Sequence, residues 1–302
     1  MKNKSLISIT DYSKEEYLRI LSLAEEFEKE PNQRIAEGKV VASLFFEPST
    51  RTRLSFESAI NRLGAKVVGF ADTNTSSGTK GESMVDTIKT VSCYVDLIVM
   101  RHSLEGAARL ASEVASVPII NGGDGSNQHP TQCLLDLYSI KKTQGTLDNL
   151  DIALVGDLKY GRTIHSLAIA MSNFNTTFHL VSPESLKLPS SVKMYIKERN
   201  LKYYQYTEIQ DAVDKVDILY MSRVQRERFL DIQDYEKVKN SCILDKSLLA
   251  NVKSSMKVLH PLPRVNEINI NVDSTPYAYY FQQAKNGVFV RQALIALILG
   301  LK

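Results

Sequence analysis

The chain has 302 residues, 43% of them hydrophobic and 24% charged, an ordinary composition with room for two α/β domains. A formal net charge of +3, with lysines and arginines dispersed along the chain, gives no basic surface of the kind nucleic acid requires. Three distant cysteines, Cys93, Cys133 and Cys242, form no C-x-x-C pair, disulfide framework or zinc site.

Met1-Lys2-Asn3-Lys4-Ser5 leads into no signal-type apolar core, and the C-terminal run from Val288 to Leu301 carries Arg291 and Gln292 and is too short to span a bilayer. A cytoplasmic, reduced protein without membrane contact is expected. Ser13-Lys14-Glu15-Glu16 reads as a capping box, with Tyr17, Ile20, Leu21, Ala24 and Phe27 at helical spacing behind it and Pro31 as the stop. Val40 to Phe46 reads as a buried strand. After the turn at Glu47-Pro48-Ser49-Thr50 a helix begins, with Phe56, Ala59, Ile60 and Leu63 on one face and Gly64 as its C-cap. Further strands are expected at Val67–Phe70, Val95–Met100, Val117–Asn121, Ile152–Val155, Phe178–Val181, Ile218–Met221 and Val258–His260.

Helical patterns separate most of these runs, which predicts α/β architecture with two doubly wound domains, each a mainly parallel sheet flanked by helices. The boundary is expected after the helix that starts near His129. That gives a first domain of 1–143, with a C-terminal helix over 285–302 packing back onto it, and a second domain of 144–284.

The polar residues that stand out follow strands: Ser49 to Arg53, Arg101 and His102, His129 and Gln132, Asp157 and Arg162, Ser222 and Arg223, and Pro261 to Arg264. Open α/β sheets bind ligands at the carboxyl ends of their strands, and several arginines in one crevice call for an anionic ligand. Ser49-Thr50-Arg51-Thr52-Arg53 at a helix N-terminus adds hydroxyls and guanidinium groups to free N–H groups and a positive dipole end. Taken alone, the same residues fit a capped helix with a solvated arginine pair equally well.

Phe45-Phe46-Glu47-Pro48-Ser49-Thr50-Arg51-Thr52-Arg53 and His129-Pro130-Thr131-Gln132 resemble the carbamoyl phosphate signature of the aspartate/ornithine carbamoyltransferase family. Gly156 to Arg162, Arg223-Val224-Gln225 and His260-Pro261-Leu262-Pro263-Arg264 resemble its aspartate branch, in the family's order and spacing. The resemblance implies transfer of a carbamoyl group from carbamoyl phosphate to L-aspartate in a cleft between the two domains, an early step of de novo pyrimidine biosynthesis. No cofactor and no metal are implied.

Residue by residue, the resemblance implies that Ser49, Thr50, Arg51 and Thr52 hold the phosphate. Thr52, Arg101 and His129 would surround the carbonyl oxygen, and Gln132 with the backbone carbonyls of Leu262 and Pro263 would take the carbamoyl NH₂. Arg51, Thr52, Arg101 and His129 are thus the expected catalytic set. Arg162, Arg223, Gln225 and Lys80 would recognise aspartate, Ser76 and Lys80 being donated by a neighbouring subunit. Glu47, with Arg162 and Arg228 as partners, would serve domain closure. The resemblance also implies a homotrimer of catalytic chains, which separate regulatory chains can join; no residue decides the latter.

Plainer readings exist for single residues. His129 could be a helix-terminal histidine filling a hydrogen bond, as His102, His165 and His179 are expected to be, and Thr75 to Glu82 could be a solvated surface loop, in which Thr79 replaces a lysine common in the family. Among rival activities, an ornithine enzyme calls for an acceptor for a cationic side chain, whereas Arg162 and Arg223 present positive charge. It also typically carries a cysteine beside the histidine at His260. A dehydrogenase or P-loop kinase lacks its glycine motif here. A catalytically silent relative would usually have lost an arginine or histidine of the set.

Overall fold

The computed structural model describes residues 1–71 and 81–302, with only the backbone of Glu227. Ser76 and Lys80 lie outside the described residues. The chain divides into two compact units, Met1–Tyr138 with Ala284–Lys302, and Ser139–Gln283.

In the first unit, α1 (Lys14–Lys29) opens as its sequence dictates. The Ser13 hydroxyl accepts the Glu16 N–H, and the Glu16 carboxylate accepts the Ser13 N–H. Tyr17, Ile20, Leu21, Ala24 and Phe27 form its buried face. Four parallel strands, β1 (Val40–Phe45), β2 (Lys66–Phe70), β3 (Leu97–His102) and β4 (Ile119–Asp124), stand in the order β2-β1-β3-β4. They alternate with α2 (Thr50–Arg62), α3 (Met84–Ser92), α4 (Ala107–Val114) and α5 (Pro130–Gln144). Ala42, Leu44, Ile88, Ile98, Met100, Ala111 and Ile119 form a core on one face of this sheet.

Three local details differ from the sequence expectation. β3 runs on through Arg101 and His102, which pair in register with Phe45 and Asp124, so these side chains lie in the strand's last residues, not after it. A backbone ladder continues regardless of side-chain polarity where the sheet meets solvent. β4 likewise runs on through Gly122 and Gly123, beyond the expected end at Asn121, and these residues are buried. The C-cap of α2 is Leu63, and Gly64 follows it at φ +82°, the left-handed position just past a helix end.

The second unit is a five-stranded parallel sheet in the order β7-β6-β5-β8-β9. Its strands are β5 (Asp151–Val155), β6 (Thr177–Val181), β7 (Tyr203–Tyr206), β8 (Ile218–Met221) and β9 (Lys257–Leu259), accompanied by α6 (Arg162–Met171), α7 (Ser190–Glu198) and α8 (Ile232–Val238). The edge strand β7 was not expected; Tyr203-Tyr204-Gln205-Tyr206 has no apolar run because half of it faces solvent. The last helix, α9 (Tyr280–Leu299), is buried on every side from Phe289 to Ile298. Among the described residues no helix is long and apolar enough to cross a membrane.

The expected class, two α/β domains with parallel sheets flanked by helices, is the observed one. In each sheet the strand order reverses beside the first strand, between β1 and β3 and between β5 and β8. Such reversals splay the connecting loops apart and leave a crevice at the carboxyl ends of those strands.

Candidate active site

At the reversal in the first unit, the chain leaves β1 through Phe46, Glu47 and Pro48. Ser49, in extended conformation, is the N-cap of α2, and its hydroxyl makes no capping bond. The first turn of α2 carries Arg51, exposed, and Thr52, buried. From the end of β3, Arg101 donates Nε to Glu47 Oε2 at 2.9 Å, and its Nη1 lies 3.5 Å from the Gly122 carbonyl. A methyl group on Gly122 would sit 3.6 Å from Thr52 Cγ2 and 3.7 Å from Arg101 Cβ, ordinary contact distances, so both side chains lie against this point of β4.

The link from β4 to α5 is built by Asp124, fully buried, whose carboxylate accepts from Asn121 Nδ2, the Gly106 N–H, Asn127 Nδ2 and the Gln128 N–H. This delivers His129, just before α5, and Gln132, in its first turn, both buried. Pro130 is the first helical residue, where a missing N–H costs nothing. Gln132 donates Nε2 to Asp136 Oδ1 at 2.8 Å. The first unit thus brings Glu47, Thr52 and Arg101 together, and sets His129 and Gln132 at the start of α5, where the His129 carbonyl accepts the Gln132 N–H.

At the reversal in the second unit, Gly156 (φ +108°) passes so close to β8 that a methyl group on it would lie 2.2 Å from the Ser222 carbonyl oxygen. The next residue, Asp157, is buried and accepts the Tyr160 N–H at 2.9 Å and the backbone N–H of Gln225. Burial raises its carboxyl above the ordinary range. Asp157 therefore ties the start of α6, which carries Arg162, to the segment after β8, which carries Arg223 and Gln225. Arg228 ends a short 3₁₀ turn in the same segment.

After β9 the backbone turns through Leu262 at φ +55°. His260 shapes this turn: its Nδ1 accepts the Leu262 N–H at 2.7 Å, so Nε2 carries the proton and donates to Glu267 Oε1 at 2.7 Å. The other Glu267 oxygen accepts the N–H groups of Val265 and Asn266. Burial pushes the Glu267 carboxyl up, but the His260 bond and the backbone N–H groups outweigh it and leave it below its usual range.

The sign of its contribution follows. A depressed carboxyl stabilises the fold fully above its unfolded value of about 4.3, and that stabilisation fades as pH falls through the folded value. Glu267→Gln is expected to cost roughly 1–3 kcal/mol at pH 7, with the deficit narrowing below about pH 4. Urea unfolding at both pH values checks this; a deficit that does not change with pH would contradict it.

The remaining histidines on strands and helices have local partners. His102 Nδ1 accepts the Leu104 N–H, His165 Nε2 bonds the Leu158 carbonyl, and His179 lies against Asp151 and Tyr206. Burial pushes His102 and His165 below the ordinary value, so both stay neutral at pH 7. Burial likewise pushes the Cys133 thiol far up, away from thiolate reactivity. Among the described residues no cluster of three histidine, cysteine or acidic side chains could hold a metal ion.

Three supporting carboxylates, Asp124, Asp136 and Glu267, were not singled out in the sequence; Asp157 was, as a polar residue following a strand, but without a role of its own. Asp136 had a visible signal, an acidic residue four positions after Gln132 on an otherwise apolar helix. Glu47 gains a partner the sequence reading did not name, Arg101.

Residues 4–142 match the carbamoyl phosphate-binding domain of aspartate/ornithine carbamoyltransferases, and residues 148–298 match the family's aspartate/ornithine-binding domain. The chain belongs to the aspartate/ornithine carbamoyltransferase family. It is 61% identical over 302 residues to an aspartate carbamoyltransferase catalytic subunit of Bacteroides fragilis, covering all of this chain and 98% of that one. A catalytic subunit from Phocaeicola vulgatus is 60% identical, with coverage of 100% and 96%.

Among solved structures, the catalytic subunit of M. jannaschii aspartate transcarbamoylase is 49% identical with a TM-score of 0.92, covering 98% of each chain. The aspartate transcarbamoylase of Trypanosoma cruzi in complex with N-(phosphonacetyl)-L-aspartic acid is 36% identical with a TM-score of 0.93, covering 99% of this family member and 96% of that chain.

Proposed function

We propose that the chain transfers the carbamoyl group of carbamoyl phosphate to the α-amine of L-aspartate, giving N-carbamoyl-L-aspartate and phosphate. The observation that carries this reading is the start of α2, where Ser49 to Thr52 stand at a helix N-terminus beside Arg101. A phosphate placed there meets free N–H groups, hydroxyls and guanidinium charge at once.

The deprotonated amine attacks the carbamoyl carbon. The carbonyl π electrons move onto oxygen, where Thr52, Arg101 and His129 stabilise the charge; the C–O bond to phosphate then breaks, and the departing phosphate can take the amine's proton. Catalysis is positioning and charge stabilisation, with no enzyme nucleophile. Arg101 starts paired with Glu47, so it exchanges or shares that carboxylate as the substrate oxygen arrives. Glu47 is then free to engage Arg162 and Arg228, the closure role that the resemblance assigns to it. Arg162, Arg223 and Gln225 bind the aspartate carboxylates, and the carbonyls of Leu262 and Pro263 take the carbamoyl NH₂ with Gln132.

The test is a carbamoylation assay with carbamoyl phosphate and either aspartate or ornithine. Turnover with aspartate alone supports the reading; turnover with ornithine, or with neither, removes it.

A homotrimer in the cytoplasm, serving an early step of de novo pyrimidine biosynthesis, completes the proposal. If Ser76 and Lys80 act in a neighbour's site, Lys80→Ala and Arg51→Ala chains, each inactive alone, should regain activity when mixed and reassembled, because some hybrid sites carry neither lesion. Reassembled hybrids that stay inactive would remove the shared site.

A further inference from the structure

We propose that Asp136 and Arg291 are positioning residues that fix the amide of Gln132 with its oxygen facing the ligand, and so make the site select a carbamoyl over an acetyl group. The inference deepens the carbamoyl-transfer reading above and rests on it.

Gln132 and Asp136 lie four residues apart on α5, on one helix face, and both are buried. An ionised carboxylate can only accept, so the 2.8 Å bond to Asp136 Oδ1 requires the Gln132 NH₂ at that end and turns Oε1 away from it. A free amide oxygen is what a carbamoyl NH₂ needs, since that group can only donate.

The arrangement depends on Asp136 staying charged in a dry interior. Arg291 on α9, only 2% exposed, is a cation near enough to interact with it through space. Its guanidinium lies over the Phe56 ring, 4.8 Å from the centroid. It lies close over Gly287, where a methyl group would come within 2.3 Å of Arg291 Nη1 and push the guanidinium aside. Burial lowers the Arg291 pKa to about 10, which still leaves it protonated at neutral pH. A protonated Asp136 could donate to the Gln132 oxygen and let the amide turn over. A carboxylate and a guanidinium buried on two helices are each costly to desolvate, and simple packing requires neither.

Acetyl phosphate separates selection from mere support. It has the shape and charge of carbamoyl phosphate, with CH₃ in place of NH₂, and leaves the Gln132 oxygen without a donor. The full chain is expected to bind carbamoyl phosphate at least about tenfold tighter than acetyl phosphate. Asp136→Asn offers both an amide oxygen and an NH₂ to Gln132, so that preference should fall by about tenfold, while affinity for inorganic phosphate holds. In a Gln132→Ala background, adding Asp136→Asn should change the preference no further.

If Asp136→Asn does not fold with the Arg291 charge left alone, Asp136→Asn/Arg291→Met removes both charges and takes the same measurements. A third readout needs no change at Asp136. In ¹⁵N-glutamine-labelled protein the Gln132 NH₂ pair, assigned by its loss in Gln132→Ala, should keep its slow hydrogen exchange when carbamoyl phosphate binds. Retention of the wild-type preference in the folded variants, an equal loss for all three ligands, or transfer of the NH₂ pair to the ligand would each overturn the inference. A wild-type chain with no preference and no aspartate carbamoylation would instead remove the reading beneath it.

Discussion

Arg51→Ala is expected to lower turnover several hundredfold, on the order of the loss of one preorganised donor, with little change in the melting curve. Arg51 lies exposed in the first turn of α2, so its removal opens no cavity in the core. Its proposed partner is a phosphate that gains charge as the C–O bond breaks, so the bond it makes is stronger in the transition state than in the ground state. The loss should therefore appear in kcat as well as in carbamoyl phosphate binding. Steady-state kinetics against both substrates, with a thermal melt, decide the matter. A variant keeping most of its turnover would remove Arg51 from the site.

Gly156→Ala is expected to cost about 2–5 kcal/mol of stability and to abolish most activity. Two demands meet at this residue. Its φ of +108° is a conformation that an alanine adopts only with strain, and the added methyl would lie 2.2 Å from the Ser222 carbonyl oxygen. The Gly156 N–H also bonds the Val181 carbonyl at 3.0 Å, which limits how far the backbone can retreat. Relief would part β5 from β8 at their carboxyl ends, where Asp157 gathers the segments bearing Arg162 and Gln225. Urea unfolding gives the stability loss, and a wild-type midpoint would show that the second unit absorbs the methyl group more easily than its geometry implies.

The strands were legible because parallel strands with both faces covered read as apolar runs, as at Val40–Phe45 and Ile218–Met221. Tyr203–Tyr206 escaped because an edge strand needs no such run. The proposed phosphate-binding turn stood out in the sequence because its residues are consecutive. The Arg101–Glu47 pair was not: the partners are 54 positions apart and meet only through the register that sets Arg101 beside Phe45. The Asp136–Gln132 bond is local and could be read at i, i+4, whereas the approach of Arg291 to Asp136 depends on the packing of α9.

The turn after β9 has a thermodynamic consequence. His260 is held by Glu267, and two residues beyond Leu262 the Arg264 guanidinium grips Asp273, with Nη2–Oδ2 at 2.6 Å, and lies over Tyr280. Both anchors belong to the second unit itself, so the Leu262 and Pro263 carbonyls are held in place as soon as that unit folds. A ligand that meets them has no loop left to order, and its binding should lose little conformational entropy at this turn. With His260→Ala one anchor is gone and ordering shifts to the moment of binding. Calorimetry should then show a more favourable enthalpy offset by a larger entropic penalty, and a net affinity that falls as temperature rises.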